Sequence, residues 1–277
     1  MLLGDVTAIG WRAHAALSRT GGDARVLAAL AASTYLDAAG EVVWLGPAAT
    51  SHARAVSILF RGSPRTAGPQ PRDVLRLALP LPRAVKVWRP EPGPATAEAA
   101  ATLRLNASRL AVGTLGTPRG FGAWLAGAPL AFPLERAHGR ADALAHACAD
   151  DDPPRAAQAA VALLGLGPGL TPSGDDFAGG AFFARALLAR AGACDTTRWG
   201  AAAGVVRAAA ARLTHPIGAA LLGDLLDGEG WAPLHELAGA LARDDAPGAL
   251  DAARRLTRLG HSSGWDLLAG FLAGARI

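Results

Sequence analysis

Hydrophobic positions change rhythm along this 277-residue chain. In the first half, short apolar runs alternate with turn residues. Residues 26–35 and 41–45 read as strands around the turn Asp37-Ala-Ala-Gly40, and 55–60, 74–79 and 84–88 read as further short strands. Gly62-Ser-Pro64, Gly68-Pro-Gln-Pro71 and Pro90-Glu-Pro-Gly-Pro94 break the pattern between them. Residues 95–103 suit a helix, and 105–134, interrupted by glycines around Trp124, follow no single period. From Asp150 onward the period is helical, with helices expected over 154–164, 173–191, 199–213, 217–226, 232–242, 249–259 and 263–275. The expected class is α+β: a β-rich N-terminal region (1–149) packed against a helical region (150–277), divided near Asp150-Asp-Asp-Pro-Pro154.

The helical region contains two related hairpins. At an offset of 93, Pro154, Ala156, Ala159, Ala160, Leu163, Leu166 and Gly167 have identical partners. Each copy then runs through a loop into Ser-Gly-x-Asp: Ser173-Gly-Asp-Asp176 in the first, Ser263-Gly-Trp-Asp266 in the second. Alanine matches mean little in an alanine-rich chain, so the Ser-Gly-x-Asp pieces carry the inference. Gly167 and Gly260 suit the left-handed position that ends a helix. Ser173 and Ser263 suit N-caps, with Asp176 and Asp266 completing capping boxes. Capping does not explain Gly174 and Gly264, since glycine in a first turn costs about 1 kcal/mol relative to alanine. Nor does it require Asp175 or the pair His261-Ser262. Glycine there permits close approach of a ligand or another backbone.

The candidate site is the loop Gly165-Leu-Gly-Pro-Gly-Leu-Thr-Pro-Ser-Gly-Asp-Asp176 together with its counterpart Gly260–Asp266. Gly169 and Gly174 have the glycine spacing of a nucleotide-binding P-loop, but Asp175 and Asp176 stand where lysine and a hydroxyl residue belong. A helix rather than a strand precedes the loop, which also argues against a dinucleotide fingerprint. Helix starts offer free amides to carboxylate or phosphate oxygens. Aspartates offer acceptors to amide groups or to a divalent cation. A small ligand with an anionic end and an NH2 end therefore suits both sets. The anion side would be lined by Ser173, Gly174, Ser263 and Gly264, with Gly167, Gly169, Thr171, Thr214, Ser262 and Asp266 as further substrate-binding candidates. Asp175, Asp176 and Asp266 would meet its NH2 groups; Asp175, Asp176 and His261 are the catalytic candidates, His261 as proton donor or as electrophile to a carbonyl oxygen. No cofactor is required; Mg2+ held by the aspartates and meeting a phosphate is the alternative. A stand-alone metal-dependent hydrolase and a non-catalytic accessory subunit are the rival functions.

Composition narrows the rest. Hydrophobic residues at 51% and charged residues at 18% suit a globular protein. No run of about 18 apolar residues predicts a membrane span, and Met1-Leu-Leu-Gly lacks the basic start of a signal peptide, so the cytoplasm is the expected compartment. The net charge of +4 rests on scattered arginines and a single lysine, Lys86, without a basic stripe. Nucleic acid is therefore not an expected partner. Cys148 and Cys194 lack metal-ligand or disulfide spacing and read as small apolar fillers.

Gly165–Phe177 and Gly260–Gly270 together resemble the signature of the AllH-like family, long described as a domain of unknown function and associated with oxamate carbamoyltransferase. Thr214 resembles a third family element, in which Gly218 stands where the family pattern has serine. The resemblance implies a subunit of a multi-protein carbamoyltransferase in allantoin breakdown, with other subunits as partners. That enzyme converts oxalurate and phosphate to oxamate and carbamoyl phosphate. The Ser-Thr-Arg-Thr phosphate motif of classical carbamoyltransferases is absent, and Ser18-Arg-Thr20 matches it only in part.

Overall fold

A computed structural model of the chain describes residues 5–30, 33–47, 51–59, 70–79, 81 and 84–276. The architecture is α+β, in two compact units, Met1–Pro90 and Glu91–Ile277.

The first unit is a mixed sheet with one helix. Among the described residues its strands are β1 (Asp5–Gly10), β2 (Asp23–Ala29), β3 (Thr34–Ala38), β4 (Glu41–Pro47), β5 (Ala55–Leu59), β6 (Val74–Arg76) and β7 (Lys86–Trp88), in the order β6-β2-β3-β4-β5-β1-β7. The β1–β7 and β4–β5 pairs are parallel and the others antiparallel. Helix α1 (Trp11–Arg19) follows β1 and buries Ala13, Ala16 and Leu17 among Ile9, Val26, Leu36, Val43 and Val56. The expected turn after Asp37 is a tight hairpin. Ala39 and Gly40 take φ of 55° and 81°, and the Gly40 amide donates to Asp37 Oδ1 at 2.7 Å. The run 26–35 divides between β2 and β3, with residues 31–32 outside the described set. The breaks at Gly62–Pro64 and Gly68-Pro69, and Phe60 at the end of a predicted strand, also lie outside it. β1 and α1 were not expected from the apolar pattern.

The second unit is helical. It contains α2 (Ala97–Arg109), α3 (Gly122–Leu125), α4 (His138–Ala149), α5 (Pro153–Val161), α6 (Ser173–Arg190), α7 (Thr196–Leu213), α8 (Pro216–Leu226), α9 (Ala232–Ala242), α10 (Ala246–Leu256) and α11 (Ser263–Gly274). Helices therefore begin well before Asp150. α4 shows no clear 3.6-residue rhythm because it is alanine-rich and buries Ala141, Leu144, Ala145, Ala147 and Cys148, more than one narrow stripe. Burial pushes the Cys148 thiol up to about 12, in keeping with an apolar filler.

Helices α6 and α11 form the centre of this unit, and both are buried on nearly every face. Their backbones approach through paired glycines. A Cβ on Gly180 would lie 2.4 Å from the Leu267 carbonyl oxygen, and one on Gly270 would lie 1.9 Å from that of Phe177. These contacts are reciprocal at the offset of 90. α4, α5 and α7 pack with α6 around Phe177 and Phe182, and α2, α9 and α10 pack with α11 around Phe271.

The duplication extends further than the sequence pattern reveals. Asp151 and Asp244, 93 apart, both take positive φ, 51° and 59°. Asp152 and Asp245 cap α5 and α10 by accepting from the amides of Arg155 and Gly248. Even the turn clamps correspond. Arg185 donates to the Cys148 carbonyl and to Asp151, while Asn106 donates to the Leu241 carbonyl and to Asp244. The repeated element is thus three helices, α4–α6 and α9–α11.

Candidate functional site

The two Ser-Gly-x-Asp pieces meet where α6 and α11 begin. Ser173 and Ser263 are the first residues of these helices rather than their caps. Pro172 and Ser262 occupy the cap positions, and neither makes a side-chain capping bond. Pro172, held at φ −55° and ψ 142°, places Ser173 inside the helix and frees its hydroxyl to reach the other repeat. Gly167 and Gly260 take the expected positive φ, 109° and 60°. They sit beyond the ends of α5 and α10, however, and close the following turns. Gly174 and Gly264 are required by sterics: a Cβ would lie 1.9 Å from the Leu163 carbonyl oxygen and 1.8 Å from that of Leu256. The close approach expected of these glycines is therefore made to backbone.

Hydroxyls link the repeats. Ser173 Oγ lies 3.2 Å from Ser262 Oγ, and Thr171 Oγ1 lies 3.4 Å from Ser263 Oγ. The carboxyls are linked crosswise as well. The Ser263 hydroxyl bonds the Asp176 side chain, while the hydroxyls of Ser173 and Ser262 face Asp266 and favour its charge. Asp266 Oδ1 also accepts from the Phe121 amide at 2.6 Å. Both carboxyls are buried, Asp176 at 7% exposure and Asp266 at 0%. Each keeps one buried oxygen, Oδ2, without a hydrogen-bond partner among the described residues. Burial raises Asp176 well above the usual carboxylate range, and the charge of Asp266 adds to this. Burial likewise pushes Asp266 up to about 7, against the opposing hydrogen bonds.

Asp175 faces elsewhere. Its Oδ1 accepts from the Gly165 amide at 2.8 Å, and its Oδ2 from the Thr214 hydroxyl. Burial raises it too, with Thr214 and Gly165 opposing. Asp175 therefore ties the glycine loop to the end of α7. Gly218 lies against the same pair, since a Cβ there would be 2.9 Å from Asp175 Oδ2 and 3.1 Å from Thr214 Oγ1. His215 caps α8 by accepting from the Ile217 amide at 3.2 Å. Thr171, Ser262 and Ser263 are half-buried at the rim, and Gly169 and His261 are exposed. The His261 carbonyl accepts from Arg119 at 3.1 Å.

Arg119, Gly120 and Phe121 belong to this neighbourhood and were not anticipated. Gly120, at φ 51°, passes so close to Asp266 that a Cβ would lie 2.1 Å from Oδ1. The closely spaced glycines of Arg119-Gly-Phe-Gly122, in the stretch with no period, were the available signal. Gly260-x-Ser262-x-Gly264 has the spacing of a nucleophile elbow, but it joins two helices rather than a strand and a helix. Among the described residues, no group of three or more His, Cys, Asp or Glu side chains is arranged to hold a metal ion. The aspartates do not form a ready Mg2+ cage. Among the described residues no helix is long and apolar enough to cross a membrane.

Fold and site together define an α+β protein whose helical unit pools two repeated helix starts into one buried Ser/Asp cluster. Residues 163–275 match the family model described as oxamate carbamoyltransferase subunit AllH. The match spans both motifs, and the resemblance read from them holds. Residues 1–162 lie outside it. No curated protein and no solved structure matches the chain.

Proposed function

We propose that this chain is a subunit of an oxamate-type carbamoyltransferase that binds a small carbamoyl- and carboxylate-bearing ligand at the starts of α6 and α11. The family match supports the first part. One observation carries the second: Asp176 and Asp266 each keep a buried carboxyl oxygen without a partner where the two helix starts cross. Leaving such groups unsatisfied is costly, and active sites are where that cost is tolerated. The exposed side supplies complementary groups in the hydroxyls of Thr171, Ser262 and Ser263, which suit an anion, whereas the expected helix-start amides of Gly174, Asp175, Asp176, Gly264 and Asp266 are spent on backbone carbonyls.

In this reading, a phosphate oxygen attacks the ureido carbonyl of oxalurate and the C–N bond to the oxamate part breaks. The departing nitrogen takes a proton. His261, exposed at the rim, is the proposed donor. Asp175 acts as a positioning residue, fixing the loop through Gly165 and Thr214.

The test is phosphate-dependent turnover of oxalurate by the complex reconstituted from its purified subunits. Ser262→Ala and His261→Gln are expected to lower kcat/KM by at least about tenfold without loss of assembly. Full activity in both variants would refute the assignment of this site.

The crosswise Ser/Asp bonding favours one other reading, an accessory subunit whose cluster braces the two repeats. On that reading the rim variants would change neither turnover nor ligand affinity.

A further inference from the structure

The candidate site holds three aspartates, but only two keep a buried carboxyl oxygen without a hydrogen-bond partner among the described residues. Asp175 spends one carboxyl oxygen on the Gly165 amide and the other on the Thr214 hydroxyl. Asp176 and Asp266 differ: each has partners on one side only, and each retains an unpartnered, buried Oδ2. They occupy equivalent positions in the two repeats, 90 residues apart, at the crossing of α6 and α11. The geometry points to Asp176 and Asp266 as a carboxyl pair that recognises the –CO–NH2 end of the ligand, one donating to its carbonyl oxygen and the other accepting from its amide.

This deepens the function proposed above and rests on it. The physical reason lies in proton sharing. Two carboxyls buried together cannot both ionise at moderate pH, because repulsion and burial favour a single charge on the pair. The cluster offers little to offset a second charge. The groups facing the carboxyls are hydroxyls from Ser173, Ser262 and Ser263, one backbone amide, and Asp175, itself a potential anion. Arg119, next to Gly120, is exposed and donates to the His261 carbonyl. A pair holding one proton presents one donor and one acceptor. A primary amide presents the complementary acceptor and donor. A carboxylate in the same place would bring acceptors only, so one aspartate oxygen would face another anion. The pair therefore selects carbamoyl over carboxylate at this end, while the rim hydroxyls of Thr171, Ser262 and Ser263 take the ligand's anionic end.

The experiment compares oxamate with oxalate, in which a second carboxylate replaces the amide, by calorimetric titration of the full chain. The wild-type chain should bind oxamate at least about tenfold more tightly than oxalate, the effect of one unmatched buried polar contact. Asp176→Asn and Asp266→Asn should reduce that preference to within about threefold, while binding through the anionic end persists. In the wild-type chain the preference should also fall as pH rises above about 7, as the shared proton is lost. This pH series decides the matter if either variant fails to fold by circular dichroism. An unchanged preference in both folded variants, or one independent of pH, would overturn the pairing and leave the proposed site standing. Failure of the wild-type chain to bind either ligand would overturn both.

Discussion

Asp266 makes the energetic cost of the cluster measurable. Its carboxyl is fully buried, and burial raises it from 3.8 to about 7. A raised acid binds its proton more tightly folded than unfolded, so the folded state is penalised as the unfolded chain ionises. Stability should therefore fall as pH rises from about 4 to about 7, with Asp176 adding in the same direction. Thermal melts across that range check the sign. Asp266→Asn keeps an oxygen for the Phe121 amide and removes the charge, so at pH 8 its Tm should exceed that of the wild-type chain. An equal or lower Tm would mean that the carboxyl is not penalised. Thr214→Val tests a different bond. It removes the hydroxyl that donates to Asp175 and should cost about 2 kcal/mol in chemical denaturation, the value of a charge-assisted hydrogen bond. Several of these residues were legible in the sequence: the repeated Ser-Gly-x-Asp identified Ser173, Ser263, Asp176 and Asp266 together. Their roles were less legible. A serine at the cap and a serine one residue inside a helix look alike in sequence, and the difference redirects the hydroxyl from its own helix to the other repeat. Phe121 was missed because it contributes a backbone amide, which no side-chain pattern reveals.

At the scale of elements, the crossing of α6 and α11 depends on missing side chains. Gly270→Ala would place a Cβ 1.9 Å from the Phe177 carbonyl oxygen. The helices must separate, at a cost of about 1–3 kcal/mol or more. Gly204→Ala, in the exposed part of α7 with nothing within 4 Å, is the internal control. Helix propensity alone should stabilise that variant by up to about 1 kcal/mol. Opposite signs in urea melts would support the close crossing; a neutral Gly270→Ala would contradict it. Helices α5 to α11 could be read from periodicity because each has short flanking loops and repeated apolar positions. Helix α9 matches the predicted range 232–242. The three-helix extent of the repeat could not be read, since α4 and α9 share little sequence. Their equivalence shows instead in backbone geometry, through Asp151 and Asp244 at positive φ and the matching clamps by Arg185 and Asn106. β1 was missed for a similar reason. It pairs with β5 and β7, partners distant in sequence, and its short run shows little alternation.

For the whole molecule, division into two compact units at Pro90 and Glu91 predicts separable behaviour. The segment Pro90-Glu-Pro-Gly-Pro94 joins them. The fragment 91–277 should express as a folded helical protein with its own cooperative melt, and its circular dichroism should show more helix per residue than the full chain. A fragment that aggregates or melts without cooperativity would count against an independent second unit. All thirteen candidate site residues lie in that unit, as does the whole family match. Net charge and cysteine use set bounds on function in the sequence, but chemistry came only from the paired motifs. The central claim is that two repeated helix starts form one ligand site. A crystal of the full chain soaked in oxamate tests it most directly. Oxamate should appear at the crossing of α6 and α11, its amide end at Asp176 and Asp266 and its carboxylate toward Ser262 and Ser263. Oxamate bound elsewhere, such as in the cavity of about 210 Å3 lined by Arg185, Arg190 and Trp199, would contradict it. So would an unchanged, ligand-free crossing at saturating concentration.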